Sequence, residues 1–139
     1  MGLVGVCLGS GLMSRPVSGA DPVKLVFLGD QGHHRPADFA GRIIPVFQAR
    51  GIEIQYTEDI EVLAADRLKE FDGLIVYANI DKISTEQEKA LLDFVASGKG
   101  FIPLHCATFC FRNSEAYIAL CGAQFKSHGA EEFETISVA

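Results

Sequence analysis

GLIVYA, residues 73–78, is apolar at nearly every position and carries no charge. A strand with one wet face alternates polar and apolar side chains. An unbroken apolar run of strand length suits a strand covered on both faces, as parallel sheets are. VKLVFL (Val23–Leu28), ahead of Gly29-Asp30, and GFIPL (residues 100–104) read the same way. IEIQYT (Ile52–Thr57) alternates, with Ile52, Ile54 and Tyr56 on one side.

Helical patterns fill the intervals. Pro36 can open a helix whose apolar face is Phe39, Ile43, Val46 and Phe47, with Gly51 as its stop. Pro45 predicts a kink or interruption inside it. Residues 59–70 read as a modest helix resting on Leu63 and Leu68. Ser84 with Gln87 forms a capping-box signature, and the helix from Thr85 carries Leu91, Leu92, Phe94 and Val95 inward before ending near Gly98. A helix over 114–120 and a fifth strand, FETISV at 133–138, complete the pattern. Strand and helix in alternation predict an α/β fold: a mainly parallel sheet between two helical layers.

The 139 residues, 48% hydrophobic and 22% charged with a net charge of −6, suit one domain with a real core. No Lys/Arg cluster exists, so a nucleic-acid partner is not expected. The leader, residues 1–20, contains MGLVGVCLGSGLM, apolar but too short to span a bilayer, and no membrane partner is expected. Ser18-Gly19-Ala20 ahead of Asp21 resembles a processing site, although no basic residue precedes the apolar run. Cleavage there would make the chain periplasmic or secreted; without it the chain would be cytoplasmic. Residues 21–139 form the domain. Its cysteines, Cys106, Cys110 and Cys121, are odd in number and do not suggest a disulfide scaffold.

Open parallel sheets bind ligands beyond the carboxyl ends of their strands. That rule selects Asp30, Gln31, His33, His34 and Arg35 after the first strand, Asn79 and Asp81 after the third, and His105, Cys106, Thr108 and Cys110 after the fourth. Three of the four histidines therefore fall at one rim, and His128, in Lys126-Ser127-His128-Gly129, can fold back toward it. Imidazole exchanges protons near neutral pH, so His105, His33 and His128 are the candidate catalytic groups, with Asp30 as the carboxylate to orient one of them. Gln31, His34, Arg35, Asn79 and Thr108 are the candidate substrate binders. Cys106 is the candidate nucleophile of an alternative reading, against which stands the ordinary burial of a free thiol. His33, His105, His128 and Asp30 would be the donors of a metal site, but HExxH and close CxxC pairs are missing, as are Walker and dinucleotide loops, and no metal or cofactor is assigned.

KLVFLGDQGHHRP, the long middle stretch YANIDKISTEQEKALLDFVASGKGFIPLHCATFCF, and YIALCGAQFKSHG together resemble the ThuA-like (trehalose utilisation) family, within the class I glutamine amidotransferase-like superfamily. The resemblance implies a flavodoxin-like fold and a role in carbohydrate metabolism, on trehalose-related or 3-keto-disaccharides. It also implies a chain shortened at its C-terminus, an incomplete sheet, and an open edge that would favour a homo-oligomer. In the amidotransferases a cysteine stands directly after the strand, in a Gly-Ile-Cys-x-Gly setting. Laid on that pattern, His105 takes the cysteine's place and Cys106 falls one position later. Three functions are thereby expected: histidine acid/base chemistry on a sugar, a non-catalytic carbohydrate-binding or interaction domain, or a glutamine amidotransferase-like enzyme using Cys106.

Overall fold

The structure, a computed structural model, describes residues 21–127 and 129. The leader, His128 and the expected strand over 133–138 lie outside the described residues. Four parallel strands, β1 (Val23–Leu28), β2 (Ile52–Thr57), β3 (Gly73–Val76) and β4 (Gly100–Pro103), stand in the order β2-β1-β3-β4. Helices α1 (Pro36–Gln48), α2 (Ala65–Leu68), α3 (Thr85–Ala96) and α4 (Glu115–Cys121) connect them or follow them.

The period-2 alternation of side chains divides the core. Val26 and Leu28 of β1 join Leu74 and Val76 of β3 on the face covered by Leu68 of α2, Leu91 and Phe94 of α3, and Tyr117 of α4. Phe27 and Ile75, one residue out of phase, point to the opposite face, where Ala40, Phe39 and Ile43 of α1 cover them with Ile54 and Tyr56 of β2. The fold is thus the expected three-layer, flavodoxin-like α/β/α arrangement, with β1 and β3 apolar because both their faces are dry.

Ser84 caps α3 as predicted: its hydroxyl accepts from the Gln87 N–H, while the Gln87 side chain accepts from the Ser84 N–H. Elsewhere local structure departs from the sequence reading. The helix expected over 59–70 is a 3-10 turn, Ile60–Leu63, followed by the single turn of α2, because Ala64 between them is extended at ψ 143°. Helix α1 runs through Pro45 uninterrupted. The carbonyl that Pro45 leaves unpaired belongs to Gly41, an exposed residue whose carbonyl water can satisfy, and only one further turn follows. Val46 and Phe47 do not lie on the buried face; they are 51% and 37% exposed. The buried stripe shifts to Phe39, Ala40, Ile43 and Ile44.

Candidate functional site

Each strand end delivers its loop to the same rim. After β1 the chain turns tightly: the Asp30 carboxylate accepts from the Gly32 N–H at 2.8 Å and, across the sheet, from the Asn79 N–H beyond β3. Asp30 therefore ties two loops together through backbone donors. Each of its oxygens accepts one backbone N–H in this way, and its charge also lies close enough to raise the pKa of His34.

The tie sets His33 and His34 over the end of β4. Their rings lie 3.9 Å apart, centroid to centroid, and His34 meets the edge of His105 at 4.6 Å and 88°. Tyr77, continuing from β3, underlies the group, with its ring 6.2 Å from His34 and 6.0 Å from His105. The sequence reading did not select Tyr77, although an aromatic in phase with Ile75 at a strand end was the available signal.

His105 sits at a bend in the backbone. Its φ is 45°, in the left-handed region that non-glycine residues seldom occupy, and a 3-10 turn, His105–Phe109, begins there. The strand stops and the side chain of His105 is turned out toward the rim. Cys106, the next residue, is buried with its thiol pushed up to about 11, first by desolvation and then by the Asp30 charge. Cys110 donates its S–H to the Ala78 carbonyl, and burial pushes that thiol up to about 12. Cys110 packs in the core and Cys106 borders the cleft, but both thiols are pushed toward the protonated form, so the amidotransferase reading lacks an activated thiol.

A cleft of about 340 Å³ opens between these loops, at the lower end of the range for small-molecule sites. His33, His34, Asn79, His105 and Thr108 line it together with Cys106, Phe109 and Phe125. A wider depression of about 650 Å³ runs along α1 past Arg35, Asp38 and Arg42, but it lies open on the helix surface. The strand-end cleft is the better candidate because polar groups from three loops converge there.

Two predicted binders do not line the cleft. Gln31 donates to the Glu58 carboxylate, which also accepts from the Tyr56 hydroxyl, so it is drawn toward β2. Arg35 forms an ion pair with Asp38 on the outer surface of α1. Asp81, similarly, pairs with Arg112. His128 lies outside the described residues. Phe109 and Phe125 were not selected from the sequence. Phe125 reaches the cleft only because Gly122, at φ 77°, ends α4 in a left-handed cap and the returning chain bonds Phe125 N–H to the Thr108 carbonyl at 3.1 Å.

His34 is the electrostatically marked member of the group. Its pKa lies below the ordinary 6.5, first through desolvation, then through repulsion by the His33 and His105 imidazoles, with Asp30 opposing. Among the described residues, no three His, Cys, Asp or Glu side chains are arranged to hold a metal ion. No helix among them is long and apolar enough to cross a membrane.

A family model for ThuA, described as trehalose utilisation, matches residues 24–139. The chain belongs to the ThuA family. No curated protein gives a significant sequence match. Among solved structures, the chain is similar to a protein of Bacteroides uniformis ATCC 8492 described as ThuA-like, with a TM-score of 0.57 and 19% identity over 78% of this chain. At that identity the likeness concerns the fold. The match covers 47% of the Bacteroides protein, so this ThuA chain spans about half the length of its structural neighbour. Within the ThuA fold, the residue at the bend after β4 is here a histidine with a left-handed backbone, and the cysteine beside it is largely buried at the floor of the cleft.

Proposed function

We propose that the strand-end cleft binds a trehalose-related sugar and acts on its 3-keto form by histidine acid/base chemistry. The observation that carries this reading is the meeting of His33, His34 and His105, from two loops far apart in sequence, beside Asn79 and Thr108. Membership of a family described as trehalose utilisation supports the substrate class.

A ketone at C3 of a glycoside acidifies the C2–H bond. In the proposed reaction one imidazole takes that proton, giving an enolate. Collapse of the enolate breaks the C1–O bond, and a second, protonated imidazole delivers its proton to the departing oxygen. His34, whose pKa is lowered first by desolvation and then by the neighbouring imidazoles, is suited to be the base, and His105 at the rim to be the acid. Asn79 and Thr108 would hold hydroxyls.

The test is turnover of 3-keto-trehalose by the purified chain, followed as release of glucose. His105→Ala should abolish turnover while substrate binding and thermal unfolding stay near those of the parent. If turnover survives, the acid assignment fails. If the parent binds the sugar without transforming it, the cleft is a binding site, and the same substitution would change affinity alone.

A further inference from the structure

The cleft is lined by two unlike kinds of group: the imidazoles, the Asn79 amide and the Thr108 hydroxyl on the one hand, and the paired rings of Phe109 and Phe125 on the other. We propose that these two phenyl rings are a stacking wall that receives the C–H face of a pyranose ring, so that they select cyclic sugars over acyclic polyols. The proposal rests on the carbohydrate reading above and specifies how that site recognises its ligand.

Phe109 is held in place before any ligand arrives. The Arg112 guanidinium lies over its ring at 4.4 Å, and Arg112 is itself ion-paired with Asp81. The backbone N–H groups of Phe111 and Arg112 bond to the Ile80 and Asp81 carbonyls at 2.8 and 3.1 Å, fixing the segment to the loop after β3. Phe125 meets Phe109 edge-on, with centroids 6.0 Å apart at 70°, and its N–H is bonded to Thr108. Phe125 is nevertheless 41% exposed, one of few large apolar side chains left so open among the described residues. Leaving apolar area in water forgoes about 25 cal/mol per Å², so a ring anchored at a cleft mouth without being buried invites a ligand surface.

A pyranose has the complementary anatomy. Its hydroxyls radiate around the rim, while its faces present C–H bonds to a π-system. Bound against the phenyl wall, a sugar would direct its hydroxyl edge toward His33, His34, Asn79 and Thr108. Glucitol carries similar hydroxyls on an open chain and offers no rigid face, so the wall would gain little from it.

The experiment compares trehalose, methyl α-glucopyranoside and glucitol by ligand-observed NMR and calorimetry on the full chain. The parent is expected to bind both cyclic probes and to bind glucitol at least tenfold more weakly. Phe125→Leu keeps apolar bulk without the ring and should weaken trehalose about fivefold to tenfold, while Phe125→Tyr should restore it. Phe109→Leu should act in the same direction; because it can disturb the Arg112 stack, Phe125 at the surface is the deciding position. Parent-like binding by Phe125→Leu, or equal binding of glucitol, overturns the wall and leaves the acid/base reading standing. If the parent binds neither cyclic probe nor 3-keto-trehalose, both readings fall together.

Discussion

The imidazole of His34 meets that of His105 edge to face at 4.6 Å, although the two come from loops after the first and last strands of the described sheet. The His105 ring opposes a proton on His34. His34 is therefore expected to titrate below 6.5 in NMR, and His105→Ala should raise its pKa by removing one repulsive partner. Stability follows with a definite sign. Between 6.5 and the depressed folded value the unfolded chain binds more protons, so His34's contribution is complete above pH 6.5 and is lost as pH falls through the folded pKa. A folded-state His34 titrating above 6.5 would remove both expectations.

Asp30 accepts from the backbone of its own loop and from that of Asn79. Asp30→Ala should leave two N–H groups without their charged acceptor and lower stability by about 1–3 kcal/mol, measured by denaturant unfolding. Asp30→Asn retains one carbonyl acceptor and should fall between that variant and the parent. If Asp30→Ala unfolds at the parental midpoint, the tie between loops contributes nothing.

The buried Cys106 thiol, pushed up to about 11, should be alkylated slowly by iodoacetamide at neutral pH. Only about one molecule in ten thousand would carry the thiolate at pH 7, and the rate should rise about tenfold per pH unit toward the pKa. Site-resolved mass spectrometry of the native protein measures this. Rapid labelling of Cys106 at pH 7 would restore the thiol-nucleophile reading.

Gly29 closes the turn after β1 in a space with no room for a side chain. A Cβ there would lie 2.5 Å from the Tyr56 hydroxyl oxygen and 2.9 Å from Pro36 Cβ. Tyr56 cannot swing away freely, since its hydroxyl is bonded to Glu58 and its ring packs 5.6 Å from Phe27. Gly29→Ala should therefore destabilise by about 1–3 kcal/mol, read as a lower denaturant midpoint at unchanged slope.

The sheet is legible in the sequence because apolar runs such as Leu74 to Val76 suit strands buried on both faces, although the similar run in β4, at the edge of the described sheet, leaves Ile102 41% exposed. The gathering of His33, His34 and His105 is legible for a different reason, since parallel strands all end at one rim whatever their loops contain. Side-chain partnership is not legible in this way. Gln31 and Arg35 sit in the right loop, yet Glu58, brought alongside by the end of β2, engages the first, and Asp38, three residues on in the first turn of α1, engages the second. Val46 and Phe47 fit a helical stripe, but α1 meets the sheet one step around its axis. Phe125 depends on a left-handed cap and a returning chain, and no spacing rule anticipates it.

The left-handed backbone at residue 105 separates what folding asks for from what the cleft asks for. Strain at such a φ costs on the order of 1 kcal/mol, which glycine would relieve, while glycine's freer unfolded chain would return about 0.5–1 kcal/mol. The two backbone terms nearly cancel, so what an imidazole adds over a bare hydrogen at this bend is its side chain, packed edge-on against the rings of His34 and Tyr77.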